Sequence, residues 1–426
     1  MPLFKPQLNI SNHFAQDCLI SGVFNEIDKD LINLISLNKL NPKPLLICSG
    51  GTSSRCAANG HWTLDLREKY NHINVDRIKQ KVEIEAGVNM GNLIKELSKT
   101  DNSFPIGLSG KTGMGYILSG GISPISRNNG LAIDQILNIK GFWGSGEILD
   151  ICKPSISSSI EERNTWKGLT GAASFLAIVT SLELKIQKIN PIYVYECFLS
   201  SNQLSEYIYQ AESWPRTASL QWIWGERIKA YVVIELDQSI NIQTAKKLIS
   251  KLPCSREESS SIVYGIQELP KFGRNVYKHE KDSRTHSEVL GLLGPRWGFE
   301  SLKLTKSLNK VMRNKPHQGC YVAAQQLGGA TKNEHESSFI HRDSIWKPWI
   351  TGSWSAGDLR GKEKTLTWME EVWETFKPFC PGVHLAQMHQ HLPWHKEEIS
   401  AAFQNWLPEL QNLKSRYDPN GILPPL

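Results

Sequence analysis

Apolar and polar positions along the chain fall into short blocks whose spacing predicts a mixture of helices and strands. Asp28, Lys29 and Asp30 precede Leu31, Ile32, Leu34 and Ile35, an acidic start to an apolar cluster that predicts a helix. Pro42 and Pro44 break that pattern. The run Leu45, Leu46, Ile47 ends in Ser49-Gly50-Gly51 and predicts a buried strand feeding a tight turn. Val82, Ile84 and Ala86 alternate with Lys81, Glu83 and Glu85, a half-buried strand ending at Gly87. Leu93, Ile94 and Leu97 follow at helical spacing. Residues 175–186 (FLAIVTSLELKI) predict a further strand, and Asn190-Pro191 marks a boundary. Beyond it, residues 231–236 predict a strand, and Leu302, Leu304, Leu308 and Val311 predict a helix. Phe403, Trp406, Leu407, Leu410 and Leu413 line one face of a last helix before the RYDPNGIL turn. The serine-rich patches 155–159 and 257–261 predict loops.

A chain of 426 residues is too long for one ordinary core, so two folded regions are expected. Hydrophobic residues at 40 % and charged residues at 21 % are typical of a globular protein. The net charge of +6, from 48 basic and 42 acidic residues, is a mild bias without any basic block, so nucleic-acid binding is not indicated. No run of about 18 apolar residues exists, and no secretory signal pattern opens the sequence, so no membrane span is expected and the expected location is the cytoplasm. The eight cysteines contain no CxxC pair and are expected as free thiols.

Two glycine-bearing segments are the first places where chemistry suggests itself. In Cys48-Ser49-Gly50-Gly51-Thr52-Ser53-Ser54, glycines permit positive φ and leave room for successive amides to cradle a diphosphate, although a strand-ending turn accounts for such a motif more often. From Gly107 to Gly130 seven glycines fall within 24 residues, a density that close approach of backbone to a large ligand requires and a structural loop rarely does. A dinucleotide fingerprint of the G-x-G-x-x-G kind is absent: Gly113 and Gly115 are followed by Leu118, which argues against a Rossmann NAD domain.

On these segments the chain resembles the vanillyl-alcohol oxidase / p-cresol methylhydroxylase type of FAD-linked oxidoreductase, and within it the berberine-bridge-enzyme-like branch. LICSGGTS (46–53) is similar to V-R-S-G-G-H-S, and ILSGGISPISRNNGLAID (117–134) to T-L-G-G-G-I-G-W-L-S-R-K-Y-G-L-A-x-D. Residues 141–149 resemble V-x-A-D-G-x-x-L, and WKGLTGAASFLAIVT (166–180) resembles W-A-x-R-G-G-G-G-S-F-G-I-V-T. LGGATKNEHESSFIHRD (327–343) and KSRYDPNGIL (414–423) resemble the family's substrate-domain and C-terminal stretches, in family order.

The resemblance implies an α+β fold. A PCMH-type FAD-binding domain of two α+β subdomains would span residues 1–187, and a substrate-binding domain with an antiparallel sheet backed by helices residues 188–388. A C-terminal segment, 389–426, would return to the FAD domain. It implies that Ser49, Gly50, Gly51, Thr52 and Ser53 hold the FAD pyrophosphate, and that Gly107, Leu108, Gly113, Gly120, Gly121 and Arg127 line the dinucleotide. Gly130 and Asp134 would shape their turn, and Ile178 and Val179 would reach the adenine or ribose end. Relatives that attach FAD covalently use a histidine where this chain has Thr52 and a cysteine where it has Leu108. Neither side chain here forms such a bond, so FAD is expected to be non-covalent.

The implied activity is an oxidase or dehydrogenase acting on a small-molecule CH–OH donor such as an alcohol, hydroxy acid or sugar, with O2 or another carrier as electron acceptor. An NADPH-dependent reductase on the same fold, or a flavin-binding protein without turnover, are the alternatives. His389 and His391, two apart on an expected extended strand, are candidate bases, with a structural histidine pair as the equal alternative. No third ligand accompanies them, so no metal is expected. Arg342 is a further candidate, although an ion-paired structural arginine is the favoured reading. Trp222, Trp224, Trp346, Trp349 and Trp354 fit an aromatic pocket or, more simply, core packing.

Overall fold

The computed structural model describes residues 6–7, 18–36, 43–253, 256–273, 276, 285–333 and 336–426. Strands β1 (Gly22–Phe24), β2 (Leu46–Cys48) and β3 (Trp62–Asp65) form a parallel sheet in the order β1-β3-β2. Helix α1 (Lys29–Ser36) starts where the acidic block predicted, with Asp28 Oδ1 accepting from the Leu31 N–H at 2.7 Å. Strands β4 (Ile73–Asp76), β5 (Lys81–Glu85), β6 (Ile136–Trp143), β7 (Ile148–Cys152) and β8 (Ala177–Lys185) form a second, antiparallel sheet in the order β7-β6-β8-β5-β4. In β5 the alternation works as read: Val82 and Ile84 are fully buried, while Lys81, Glu83 and Glu85 keep partial exposure.

Helices α2 (Met90–Ser98), α3 (Met114–Leu118) and α4 (Ile160–Leu176) accompany these sheets. The strand expected over 175–186 begins two residues later, because Phe175 and Leu176 close α4 and are buried. Ser159 and Glu162 make a reciprocal cap at the start of α4, and the helix breaks at Thr170–Ala172, where Gly171 has φ +130°.

An eight-stranded antiparallel sheet follows: β9 (Ile192–Leu199), β10 (Ala218–Trp224), β11 (Ile228–Glu235), β12 (Arg256–Val263), β13 (Thr285–Leu293), β14 (Tyr321–Gln326), β15 (Trp346–Ser355) and β16 (Gly382–Val383), ordered β12-β9-β11-β10-β14-β15-β13-β16. The serine patch 257–261, expected as a loop, is the edge strand β12. Ser259, Ser260 and Ser261 pair with Glu196, Tyr195 and Val194. An edge strand exposed to water needs no apolar face, so composition alone misleads there. Helices α5 (Ser201–Ala211), α6 (Ile242–Ile249), α7 (Ser301–Arg313) and α8 (Leu359–Phe376) complete this half.

One face of the large sheet carries the helices. Cys197 meets the Tyr207 hydroxyl of α5, and Gly352 lies against Thr365 and Met369 of α8. Register puts Trp222, Trp224, Trp346 and Trp354 on this same face, all buried. Four of the five tryptophans are therefore core, each contributing about 2–3 kcal/mol by burial. Helices α9 (His395–Phe403) and α10 (Leu407–Tyr417) end the chain. Helix α10 packs on α4, Tyr417 stacks on Trp143 of β6 at 3.8 Å, and Leu45 donates to the Ile422 carbonyl at 2.7 Å. Asp418 closes the final turn by accepting from Ile422 and Leu423 at 2.8 and 2.9 Å.

Cys48, Cys56, Cys197, Cys320 and Cys380 are buried thiols and Cys152 is exposed; the side chains of Cys18 and Cys254 lie outside the described residues. Among the described residues no helix is long and apolar enough to cross a membrane.

Candidate functional site

Strand β2 stops at Cys48 and the chain turns through residues 49–53, with Gly51 at φ +66°. The main-chain N–H groups of Gly50, Gly51, Thr52, Ser53 and Ser54 find no acceptor among the described residues, although Gly51 and Ser54 are buried. Buried amides are normally paired, and a run of unpaired ones forms a concavity for an anion. Facing this turn is the segment before α3. A Cβ on Gly113 would stand 2.5 Å from the Gly50 nitrogen, and one on Gly50 would overlap Gly113 in return, so both positions need glycine. Gly115 N–H donates to Ser49 Oγ at 3.3 Å. Gly107 faces the Tyr116 ring, and half-buried Leu108 packs on the core beside it.

Farther on, Gly120 and Gly121 take φ +124° and +70°, and the amides of Gly121 and Ile122 again meet no acceptor among the described residues. Gly130, at φ +81°, is followed by a turn in which Asp134 Oδ2 accepts from Leu131 N–H at 3.1 Å. Ile178 and Val179 pair with Phe142 and Gly141 of β6 beyond the last β5 partner of β8, so their backbone faces only one ladder.

Two arginines are held by partners within the chain. Arg127 donates to the carbonyls of Ala218, Leu327 and Trp214 at 2.8, 2.5 and 2.9 Å, which ties the glycine segment to the large sheet and leaves no fork for the dinucleotide. Arg342 pairs with Asp134 through two bonds of 2.8 and 3.0 Å and donates to Ser337 Oγ at 2.6 Å. Its guanidinium is committed to holding the Gly130 turn, which corrects its candidacy as a reacting group.

The face of the large sheet away from the helices looks toward these turns. Ser219 Oγ donates to the Pro124 carbonyl at 2.5 Å, and His384 bridges Gly291 of β13 to Gly120. On that face Tyr231, Gln221, Gln325 and Lys347 lie in one row across β11, β10, β14 and β15, by register. Gln221 is fully buried, and Gln325 and Lys347 are each 6 % exposed. Among the described residues Gln221 Oε1, Gln325 Nε2, Thr351 Oγ1 and Gln387 Oε1 are buried with no hydrogen-bond partner. Lys347 has no anionic partner among the described residues; its ammonium stands 4.4 Å from the Trp349 ring centroid, and burial pushes its pKa down to about 7. His384 accepts from Ala386 N–H at Nδ1, 3.3 Å, so its neutral ring carries the proton on Nε2, which is buried and unpartnered. Burial first, and then the Lys347 charge, hold His384 well below the usual histidine range. Unsatisfied donors and acceptors gathered on one buried face, opposite glycine turns with unpaired amides, mark a ligand site.

Residues 23–151 match the family model for an FAD binding domain. The chain is 23 % identical to the FAD-linked oxidoreductase YgaK of Bacillus subtilis, over 99 % of this chain and 94 % of that one. Its fold matches a chitooligosaccharide oxidase with TM-score 0.81, 14 % identity and coverage of 98 % and 95 % of the two chains. It matches the berberine bridge enzyme from Eschscholzia californica with TM-score 0.72, 16 % identity and coverage of 97 % and 89 %. The chain is an FAD-linked oxidoreductase. It has the berberine-bridge-enzyme-like fold.

FAD fits the turns this oxidoreductase presents. The unpaired amides at 50–54 and 121–122 suit a diphosphate and the polar rim of the flavin, and the glycines let backbone approach without Cβ obstruction. His389 and His391 occupy a different role from the one their spacing suggested. The segment is a turn, not a strand. Glu288 nevertheless gathers both rings: His391 Nε2 lies 2.8 Å from its Oε1 and His389 Nε2 3.5 Å from its Oε2. His389 Nδ1 contacts Glu398 Oε1 at 2.7 Å, and Ser54 Oγ donates to Glu288 at 2.8 Å. Burial opposes charge on His389, yet the Glu398 bond and the charges of Glu398 and Glu288 outweigh it and raise its pKa. Burial likewise opposes charge on Glu398, but His389 and His395 hold it down to about 2. An imidazole held between two carboxylates, one of them bonded to Ser54, braces that turn. Among the described residues no group of three or more His, Cys, Asp or Glu is arranged to hold a metal ion.

Sequence reading passed over Lys347, His384, Gln221 and Gln325. A signal was available: Gln221 in SLQWIW, Gln325 in VAAQQL and Lys347 in WKPWI each interrupt strongly apolar strands with a polar side chain.

Proposed function

We propose that this oxidoreductase takes hydride from a CH–OH donor and holds its FAD without a covalent link. FAD, when bound, supplies a two-electron acceptor; the chain's part is to bind, orient and exclude water. The observation that carries the reading is the row Gln221, Gln325 and Lys347 with His384: among the described residues Gln221 Oε1, Gln325 Nε2 and His384 Nε2 are buried without partners on the face toward the glycine turns, and Lys347 lies beside them. Such atoms are costly unless a polar ligand completes them, and a hydroxyl-bearing donor does so. A relative in fold is titled a chitooligosaccharide oxidase and another a glucose oxidase variant, both names of enzymes with hydroxyl-bearing substrates. The non-covalent link is supported by Thr52 and Leu108, neither of which supplies an imidazole or thiolate to the ring.

The test is direct. Purified protein should be yellow, and acid precipitation should release the flavin into the supernatant; colour left in the pellet refutes the non-covalent link. Anaerobic mixing with a panel of alcohols, hydroxy acids and sugars should bleach the flavin for at least one donor. Full flavin occupancy with no bleaching across the panel would sink the donor assignment.

A further inference from the structure

Charge is unbalanced on the site face. Glu196 and Lys229 lie on it and pair with each other. Arg127 is spent on carbonyls, Arg342 on Asp134, and Glu288 on Ser54, His391 and His389. Among the described residues Lys347 is left as a buried cation with no counter-charge. Its row neighbour Gln325 offers an unpartnered amide N–H2, and His384 offers an unpartnered Nε2–H. Against these donors stand the acceptors Gln221 Oε1 and Gln387 Oε1. Hydroxyl groups alone would leave the cation without a partner. An anion would satisfy it, since buried charges are kept where a partner and hydrogen bonds complete them.

We propose that the donor is a hydroxy acid, and that its carboxylate is received by the Lys347 ammonium and the Gln325 amide. The inference rests on the CH–OH reading and sharpens it: the carboxylate binds across β14 and β15, which directs the carbinol toward His384 and Gly120. Lys347 is then the residue that separates acids from neutral alcohols and sugars. The ammonium–carboxylate contact, formed where water is scarce, is stronger than its surface counterpart.

Binding can be read without turnover. Oxalate, which carries no carbinol to oxidise, should perturb the visible spectrum of the bound flavin in a saturable titration; inorganic phosphate and ethylene glycol should not at equal concentration. In Lys347→Met the oxalate dissociation constant should rise about 100-fold, and Lys347→Arg should recover part of the loss. Unchanged flavin content and far-UV circular dichroism establish that the variants are folded. In the wild type, hydroxy acids should reduce the flavin with a kcat/KM that Lys347→Met lowers, chiefly through KM.

Oxalate binding that survives Lys347→Met, phosphate binding as well as oxalate, or glucose reducing the flavin as fast as the best acid would each overturn the proposal. None of these touches the CH–OH reading, and the last replaces the acid with a neutral donor. Lys347-dependent oxalate binding without reduction by any donor supports the carboxylate site and counts against the donor reaction, so the two failures are distinct.

Discussion

At the scale of single residues, the site depends on atoms that are missing. Gly50 and Gly113 touch backbone to backbone, and Gly50→Ala places a methyl group onto Gly113. The substitution is expected to push the two turns apart and lower flavin occupancy at least 10-fold, with only a modest fall in melting temperature; occupancy equal to wild type would contradict it. Glu235 gives a second residue-scale expectation. It is buried at the end of β11 and receives two bonds of 3.0 Å from Asn129 Nδ2. Burial raises its carboxyl to about 7, above the ordinary 4.5. A raised folded pKa gives stability that is complete below 4.5 and is lost as pH climbs through 7. Glu235→Gln should therefore match the wild type at pH 5 and melt higher at pH 8. Much of this scale was readable in the letters, because a glycine announces its own need for space. His384 was not, and Lys347 showed only as a polar break in an apolar strand, since they acquire meaning when the fold brings Gln325 beside one and Gly120 beside the other.

At the scale of elements, alternation and helix starts were legible wherever one face met a core, as β5, α1 and α2 show. They failed where the constraint came from elsewhere. Strand β12 is polar because it lies on an edge, and the His389–His391 segment turns because Glu288 and Glu398 draw its rings inward from β13 and α9. Removing that imidazole strands two buried carboxylates. His389→Leu should cost about 3–5 kcal/mol, seen as a lowered thermal midpoint, and loosen the Ser54 turn; a stable variant with full flavin would disprove the brace. Acid has a predictable effect as well. Glu398 is held near 2, so its contribution is present above 4.5 and is lost as pH falls from 4.5 toward 2. The midpoint should drop over that interval, and Glu398→Gln should flatten the drop.

At the scale of the molecule, the resemblance supplied the α+β arrangement, and the arginines supply what holds it together. Arg127 reaches from the glycine segment to carbonyls on β10 and the loops around it, and Asp134 reaches to Arg342. Arg127→Met removes bonds to four carbonyls of the large-sheet half. It should destabilise by about 3–5 kcal/mol and release flavin before secondary structure is lost. Coincident loss of flavin and ellipticity on heating would argue against that order.

The Arg127 clasp also constrains biogenesis. Its acceptors lie 87 to 200 positions downstream of it, so the turn that receives the cofactor is finished only after most of the polypeptide has left the ribosome. Flavin capture should accordingly be a late event, absent from nascent chains halted before Leu327 and present once translation is complete.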